Sequence, residues 1–465
     1  LLSSCSQTTY EIVIENGRVM DPESGLDAIR NVGVQDGKIA AITEDRIDGK
    51  QVLDAGGHVV TAGFVDLHRH GHSPENHQAQ IRDGITSALE LEIGVENIDS
   101  WYGEREGKTV LNYGASISHP YARNIAMTGS NPGFWGEAAA GPLNPEQLEK
   151  LKARISEGLE QGAPGVGFGL AYTPGATPDE VLDIFRVAAR YNAPCYVHVR
   201  TSTTDTSNIE EVLEYSKQSG AALHIVHLNS SGAKLVPQYL EAVQKGIDDG
   251  VDVTTECYPY NRGSTFIQSH LFNDWETYSD EQFGEYIWME TGEHLTRETF
   301  GRYRAQGGII VTPATYSYEM VQAAIASPLT MIASDGMQLR NGRAHPRTFG
   351  AYARILGRYV REKRVLTLMD ALAKMSLRPA QRLESRVPMM QDKGRVRVGA
   401  DADLVVFDPE TVIDKGTFED PAQHPVGIRH VLVNGVAVLV DNKPVEGATP
   451  GQAIRAPIAK TAPTY

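Results

Sequence analysis

The chain is poor in cysteine: 465 residues contain three, Cys5, Cys195 and Cys257. Three cannot build a disulfide framework, so stability must come from a buried core. Cys195 and Cys257 sit inside apolar runs and read as small buried hydrophobes. Basic runs are also missing. Lysine and arginine number 43 against 59 acids, a formal charge of −16. Nucleic-acid binding leans on clustered Lys and Arg, so that class of partner is disfavoured. No stretch reaches the roughly 18 apolar residues of a membrane span. What remains is ordinary globular composition, long enough for one large domain and a smaller one.

The first residues stand apart. Leu2-Ser3-Ser4-Cys5 has the form Leu, small, small, Cys. It resembles the lipobox of bacterial lipoproteins, which implies a lipid anchor at Cys5 and a cell-envelope location. Without that modification the expected location is the cytoplasm. Residues 1–7 are thus expected to be a lipoprotein-like tail.

Residues 8–60 read as short strands, "YEIVIENGRVM", "NVGVQDGKIAAIT" and "QVLDAGGHVV", with turns expected at Asn16-Gly17 and Asp36-Gly37. Residues 391–446 repeat the style, with another turn at Asn434-Gly435. Two β-rich ends around a different middle suggest one small β-sandwich built from both termini. Residues 447–465 read as a C-terminal tail.

The middle, residues 61–390, alternates apolar runs with helical segments. The candidate strands are "GFVDLHRH", "GITSALELEIG", "TVLNYGASIS", "GVGFGLAYT", "APCYVHVR", "AALHIVHLN", "VDVTTECYP" and "LTMIASDG". Helices are expected over Pro145–Gln161, Asp179–Tyr191, Ile209–Ser219 and Val236–Gly250, with Pro145 and Pro178 where helix starts tolerate proline. Repeated βα units of this kind predict a (β/α)₈ TIM barrel. The stretch from Phe266 to Ser327 exceeds a simple crossover and is expected near the barrel mouth.

Active sites of such barrels lie at the C-terminal ends of the strands. The first strand ends with His68 and His70, on one face with Arg69 on the other. The second ends with Glu90 and Glu92, the fifth with His198, and the eighth with Asp335; the sixth carries His224 and His227. Imidazoles and carboxylates converging on one rim point to a metal site.

These motifs, with "GFGLAYTPGA", "HIVHLNSSG", "DVTTECYPYNRGST" and "HPRTFGAYARILGRYVRE", resemble the amidohydrolase superfamily, and within it the N-acyl-D-amino-acid deacylases (D-aminoacylases). The resemblance implies the ligands His68, His70, His198, His227 and Asp335, holding one or two zinc ions per chain. Manganese or iron also suits such donors. His224 reads as structural and His72 has no assigned role. The family's metal-binding cysteine after the second strand is absent; "LELEIGV" offers Glu92 instead, a carboxylate able to bridge two metals. No lysine lies in "GVGFGLAYT", which argues against the carboxylated lysine of hydantoinases and dihydroorotases. The family's lysine after the sixth-strand histidine is replaced by Asn229.

The resemblance further implies cleavage of a linear amide in a small molecule bearing a carboxylate. Metal-activated water would attack, with Asp335 as general base and then acid. Arg347 matches the family's clamp for the α-carboxylate, and Tyr258 and Ser264 match positions at the same acid end. Arg262 is a candidate to replace the lost lysine, and His119 to contact the carbonyl or support the site. A dipeptidase on the same scaffold is the alternative, and a non-catalytic binding protein is a third, disfavoured by the intact ligand set.

Overall fold

The computed structural model describes residues 9–131, 133 and 135–458. Cys5 and the lipobox-like stretch lie outside the described residues. All eight expected strand runs form one parallel sheet, in spatial order Phe64–Asp66, Ile85–Val95, Asn112–Ser118, Val166–Gly169, Cys195–His198, Leu223–Ile225, Val253–Cys257 and Thr330–Ile332. Their residues are almost uniformly buried, as expected of strands covered on both faces. Helices pack outside them, giving the (β/α)₈ barrel. Pro178–Arg190 shows the local logic. Thr177 caps its start by accepting from the Glu180 amide, and Pro178 sits in the first turn. Val181, Ile184, Phe185 and Ala188 recur at helical spacing and are buried against the sheet.

The first and last barrel strands are joined mainly by side chains. The His70 amide donates to Gly336 O at 2.8 Å. Buried Asp66 accepts from the Ser334 amide at 3.1 Å and from its hydroxyl at 2.5 Å. Arg69, turned away from the two histidines, donates to Ser334 Oγ and to Thr348 O. The Asp-x-His-Arg-His stretch thus closes the barrel with one set of side chains and lines its mouth with the other.

The chain ends build one continuous nine-stranded sheet. Its seam is Val59–Ala62, which pairs with Thr9–Asp21 on one side and antiparallel with Leu404–Phe407 on the other. Two of the three expected turns are hairpins: Asp36-Gly37 links Leu26–Gln35 to Lys38–Thr43, and Asn434-Gly435 links Ile428–Val433 to Val436–Val440. Asn16-Gly17 is different. It is a bulge inside the single strand Thr9–Asp21, and a Cβ on Gly17 would come within 2.3 Å of Val60. The glycine there serves close packing, not chain reversal.

The long segment before the last barrel strand forms a small lobe. Ser264–Phe266, Ile287–Trp288 and Ile309–Val311 make a three-stranded sheet, with Phe272, Phe283, Trp288 and Phe300 in an aromatic core. Phe266, Leu271, Phe272 and Thr312 from this lobe line the barrel mouth.

The expected tail from residue 447 is instead ordered through residue 458. Ile454 donates its amide to Tyr113 O at 2.7 Å, and Tyr102 Oη donates to Ile454 O at 2.6 Å. Ile454 and Ala456 are buried with Leu89, Leu91 and Tyr196. Backbone pairing with the third strand, unreadable from so short an apolar stretch, holds the segment in place. Ile454→Ala should therefore destabilise the protein by roughly 2–5 kcal/mol, the cost of a large-to-small core change. Chemical denaturation would measure it, and a change near zero would return this segment to the status of a tail.

Candidate metal centre

Glu90 and Glu92 project inward from Ile85–Val95 at alternate positions, beside His68 and His70, which follow Phe64–Asp66. Glu92 stands between two pairs of imidazoles. Its Oε2 lies 3.3 Å from His68 Nε2 and 3.1 Å from His70 Nε2. Its Oε1 lies 2.6 Å from His198 Nδ1 and 3.1 Å from His227 Nε2. Asp335 Oδ1 faces the first pair at 3.5 and 3.4 Å. The groups His68/His70/Glu92, His68/His227/Asp335 and Glu92/His198/His227 each bring their donor atoms within 4.8 Å of one another. His227 and Asp335 reach this point with left-handed backbones, φ 32° and 51°, unusual for residues with a side chain.

The outer nitrogens are held as metal-binding histidines require. His68 Nδ1 donates to Glu256 Oε1 at 2.6 Å, and His70 Nδ1 to Glu90 Oε2 at 2.9 Å. His227 Nδ1 contacts Ser231 Oγ at 3.2 Å. Glu256 also takes His224 Nε2 at 3.1 Å, so His224 is a structural partner behind the site. Glu256 had no assigned role in the sequence. The available signal was an acid in "TTECYP", on the strand face shared with Thr254, the residue that pairs with His224.

The charges demand a cation. Burial works against charging His68, yet Asp335, Glu92 and Glu256 raise it well above the ordinary imidazole range. His70 is raised in the same way, chiefly by Glu90 against burial. Burial would raise Glu256 and Glu92, but His68 and its neighbours pull Glu256 down to about 2 and Glu92 well below the usual range. A divalent ion answers the same demand for positive charge among these carboxylates. Imidazole and carboxylate donors fit zinc, and suit manganese or iron.

Asp335 carries a second partner. Burial opposes its ionisation, but Arg347 Nη2 at 2.8 Å, together with His68, His70 and His227, outweighs this and keeps its carboxyl below the usual range. Arg347 is itself buried, with its guanidinium 4.4 Å over the Tyr258 ring. Its Nε and Nη1 have no protein partner.

A cavity of about 430 Å³ opens over this cluster. Tyr258 and Ser264 line it, although the Ser264 hydroxyl donates to Ile310 O at 3.0 Å. Four expected substrate contacts are not in its wall, and the first is Arg347, buried against Asp335 and Tyr258. His119 starts the helix after the third strand, and its side chain turns behind the barrel to Glu180 at 3.0 Å. Arg262 reaches outward to Glu285 O at 2.9 Å and stacks over Phe418. Asn229 is buried and consumed as a loop staple, bonding Tyr258 N, Tyr258 O and Tyr316 Oη.

Comparison with known proteins agrees with this geometry. Residues 292–439 match the amidohydrolase family. The chain is 30% identical to an N-acyl-D-glutamate deacylase of Alcaligenes xylosoxydans xylosoxydans, covering 97% of both chains. It is 26% identical to a D-aminoacylase of the same organism, over 94% of this chain and 96% of that one. A crystal structure of N-acyl-D-glutamate deacylase from Bordetella bronchiseptica, complexed with zinc and a phosphonate mimic of the reaction's tetrahedral intermediate, superposes with a TM-score of 0.82 at 26% identity. It aligns over 97% of this chain and 100% of that one.

Glu92→Ala removes the one carboxylate that both histidine pairs share. Zinc-loaded protein should then hold about one equivalent less than the parent, by elemental analysis. Equal content in parent and variant would reduce Glu92 to an outer partner.

Proposed function

We propose, of a chain that belongs to the N-acyl-D-amino-acid deacylase family of amidohydrolases, that it hydrolyses N-acyl-D-amino acids to a carboxylate and a free amino acid. The supporting observation is Glu92, with each oxygen facing a different histidine pair, beside an ionised Asp335 at the floor of a substrate-sized cavity. His68, His70, Glu92, His198, His227 and Asp335 would hold one or two divalent ions. When bound, such ions supply Lewis-acid polarisation of the scissile carbonyl and acidify water at neutral pH.

The chain's own groups do the rest. Asp335, held as a carboxylate by Arg347, accepts the proton that the attacking water loses as its oxygen bonds to the carbonyl carbon. When the C–N bond breaks, the same carboxyl delivers that proton to the leaving amine. Glu256 and Glu90 keep His68 and His70 oriented through their Nδ1 atoms. For Arg347 to grip the substrate α-carboxylate, its buried Nε and Nη1, which lie outside the cavity wall, must be uncovered on binding; Tyr258 packs against the guanidinium.

Asp335→Asn should lose roughly 10²–10⁴-fold in kcat, the range of general acid–base effects. Near-full activity with unchanged metal content would move the base elsewhere. Arg347→Met should cost roughly 2–5 kcal/mol in kcat/KM on free acids, as expected for one partner of a buried charged pair. Carboxamide substrates should lose less but not nothing, because the variant also strips Asp335 of its ion pair. Equal losses on acids and amides would remove Arg347 as the carboxylate anchor.

A further inference from the structure

A second cavity, of about 560 Å³, lies beside the first, where the second barrel strand ends at Gly94 and Val95. His70, Glu90, Gly94 and Tyr121 line both cavities. His70 links them chemically. Its Nε2 faces Glu92 in the metal centre at 3.1 Å, and its Nδ1 faces Glu90 at 2.9 Å.

The rest of the second wall carries charge of both signs. Glu96 is exposed, and its Oε2 accepts from Asn131 Nδ2 at 3.0 Å. The Glu90 carboxylate bonds only His70 among the described residues. Arg105 lies 4.0 Å over the Trp101 ring, with its Nη1 spent on Trp101 O at 2.8 Å. Among the described residues its Nη2 has no hydrogen-bond partner, and the side chain keeps 20% exposure. Two acids, one guanidinium edge and an aromatic ring thus share one open space.

That set tells product from substrate by charge. An N-acyl amino acid has a neutral amide nitrogen and a net negative charge, so Glu90 and Glu96 repel it. Hydrolysis turns the nitrogen into an amine, which is protonated at neutral pH. The resulting ammonium has donors for both acids, and the α-carboxylate suits Arg105 Nη2.

We propose that the second cavity binds the free amino-acid product, as a zwitterion, and that its occupant slows the enzyme. This rests on the deacylase reading and adds a regulatory site to it. The ammonium draws the Glu90 carboxylate away from His70 Nδ1. A metal-binding histidine that loses its outer partner loses its orientation. The main cavity stays open to substrate, so kcat falls while KM changes little.

The test uses zinc-loaded wild type, Glu96→Gln and Arg105→Gln. N-acetyl-D-leucine, N-acetyl-D-alanine and N-acetyl-D-glutamate serve as substrates, and D-leucine is the added amino acid. Calorimetric titration of D-leucine reads binding without turnover. Wild type should bind D-leucine and be inhibited mainly in kcat. Each variant should weaken both binding and inhibition roughly tenfold, the order of one charge-assisted hydrogen bond. Their kcat/KM without D-leucine should stay near that of wild type. Isoamylamine, which is leucine without its carboxylate, should bind more weakly, and Arg105→Gln should weaken it no further. Purely competitive inhibition that neither variant alters would put D-leucine in the main cavity and overturn the assignment. Failure of wild type to bind D-leucine overturns it equally. Hydrolysis of none of the three substrates removes the deacylase reading, and the titration then decides the amino-acid site alone: binding lost in both variants supports it, and binding unchanged in either overturns it.

Discussion

Glu92, Glu256 and Asp335 are buried at one rim of the barrel, and buried carboxylates stay charged only while positive charge lies among them. Removing one such ion from water costs several kcal/mol even after the surroundings relax. The fold meets that cost by threading imidazoles between the acids. His68 touches Glu256 on one side and Glu92 on the other, and His198 and His227 take the far oxygen of Glu92. No acid in the row can lose its partners without leaving a neighbour uncompensated. The strained backbones of His227 and Asp335 persist because this network over-determines their positions.

The same constraint explains the work of the first strand. Strand alternation sends His68 and His70 into the mouth and Arg69 the other way. Arg69 and Asp66 then fasten the first strand to Ser334, one residue before Asp335. The residue that closes the barrel and the residue that faces the histidines are therefore neighbours in sequence. Loosening the seam would move Asp335 relative to His68 and His70, so stability and site geometry are coupled at this point.

Much of this was legible because alternation is rigid. The His-x-His and Glu-x-Glu pairs had to share a face once their runs were strands, and single acids or histidines ending apolar runs had to meet at one end of a barrel. The misreadings arose where a side chain could turn either way. His119 ends a strand like the ligands do, but Ser118 caps a helix there and carries the ring back to Glu180. Asn229 occupies the position of a family lysine, but its short amide is consumed by the backbone of the loop after the seventh strand and by Tyr316 Oη. Glu256 was hidden because its role depends on the register of two strands, which sequence spacing does not set. The Asn16-Gly17 pair satisfies a bulge as well as a turn, and only packing against Val60 decides between them.

Arg347 supports the site from behind. One of its nitrogens pairs with Asp335, and the guanidinium is buried against Tyr258. Its other two nitrogens are buried and unpartnered, and the side chain does not line the cavity, so its charge acts inward on Asp335. In the proposed reaction Arg347 therefore bears on the substrate first through the carboxylate it holds, and directly only where binding uncovers its remaining donors.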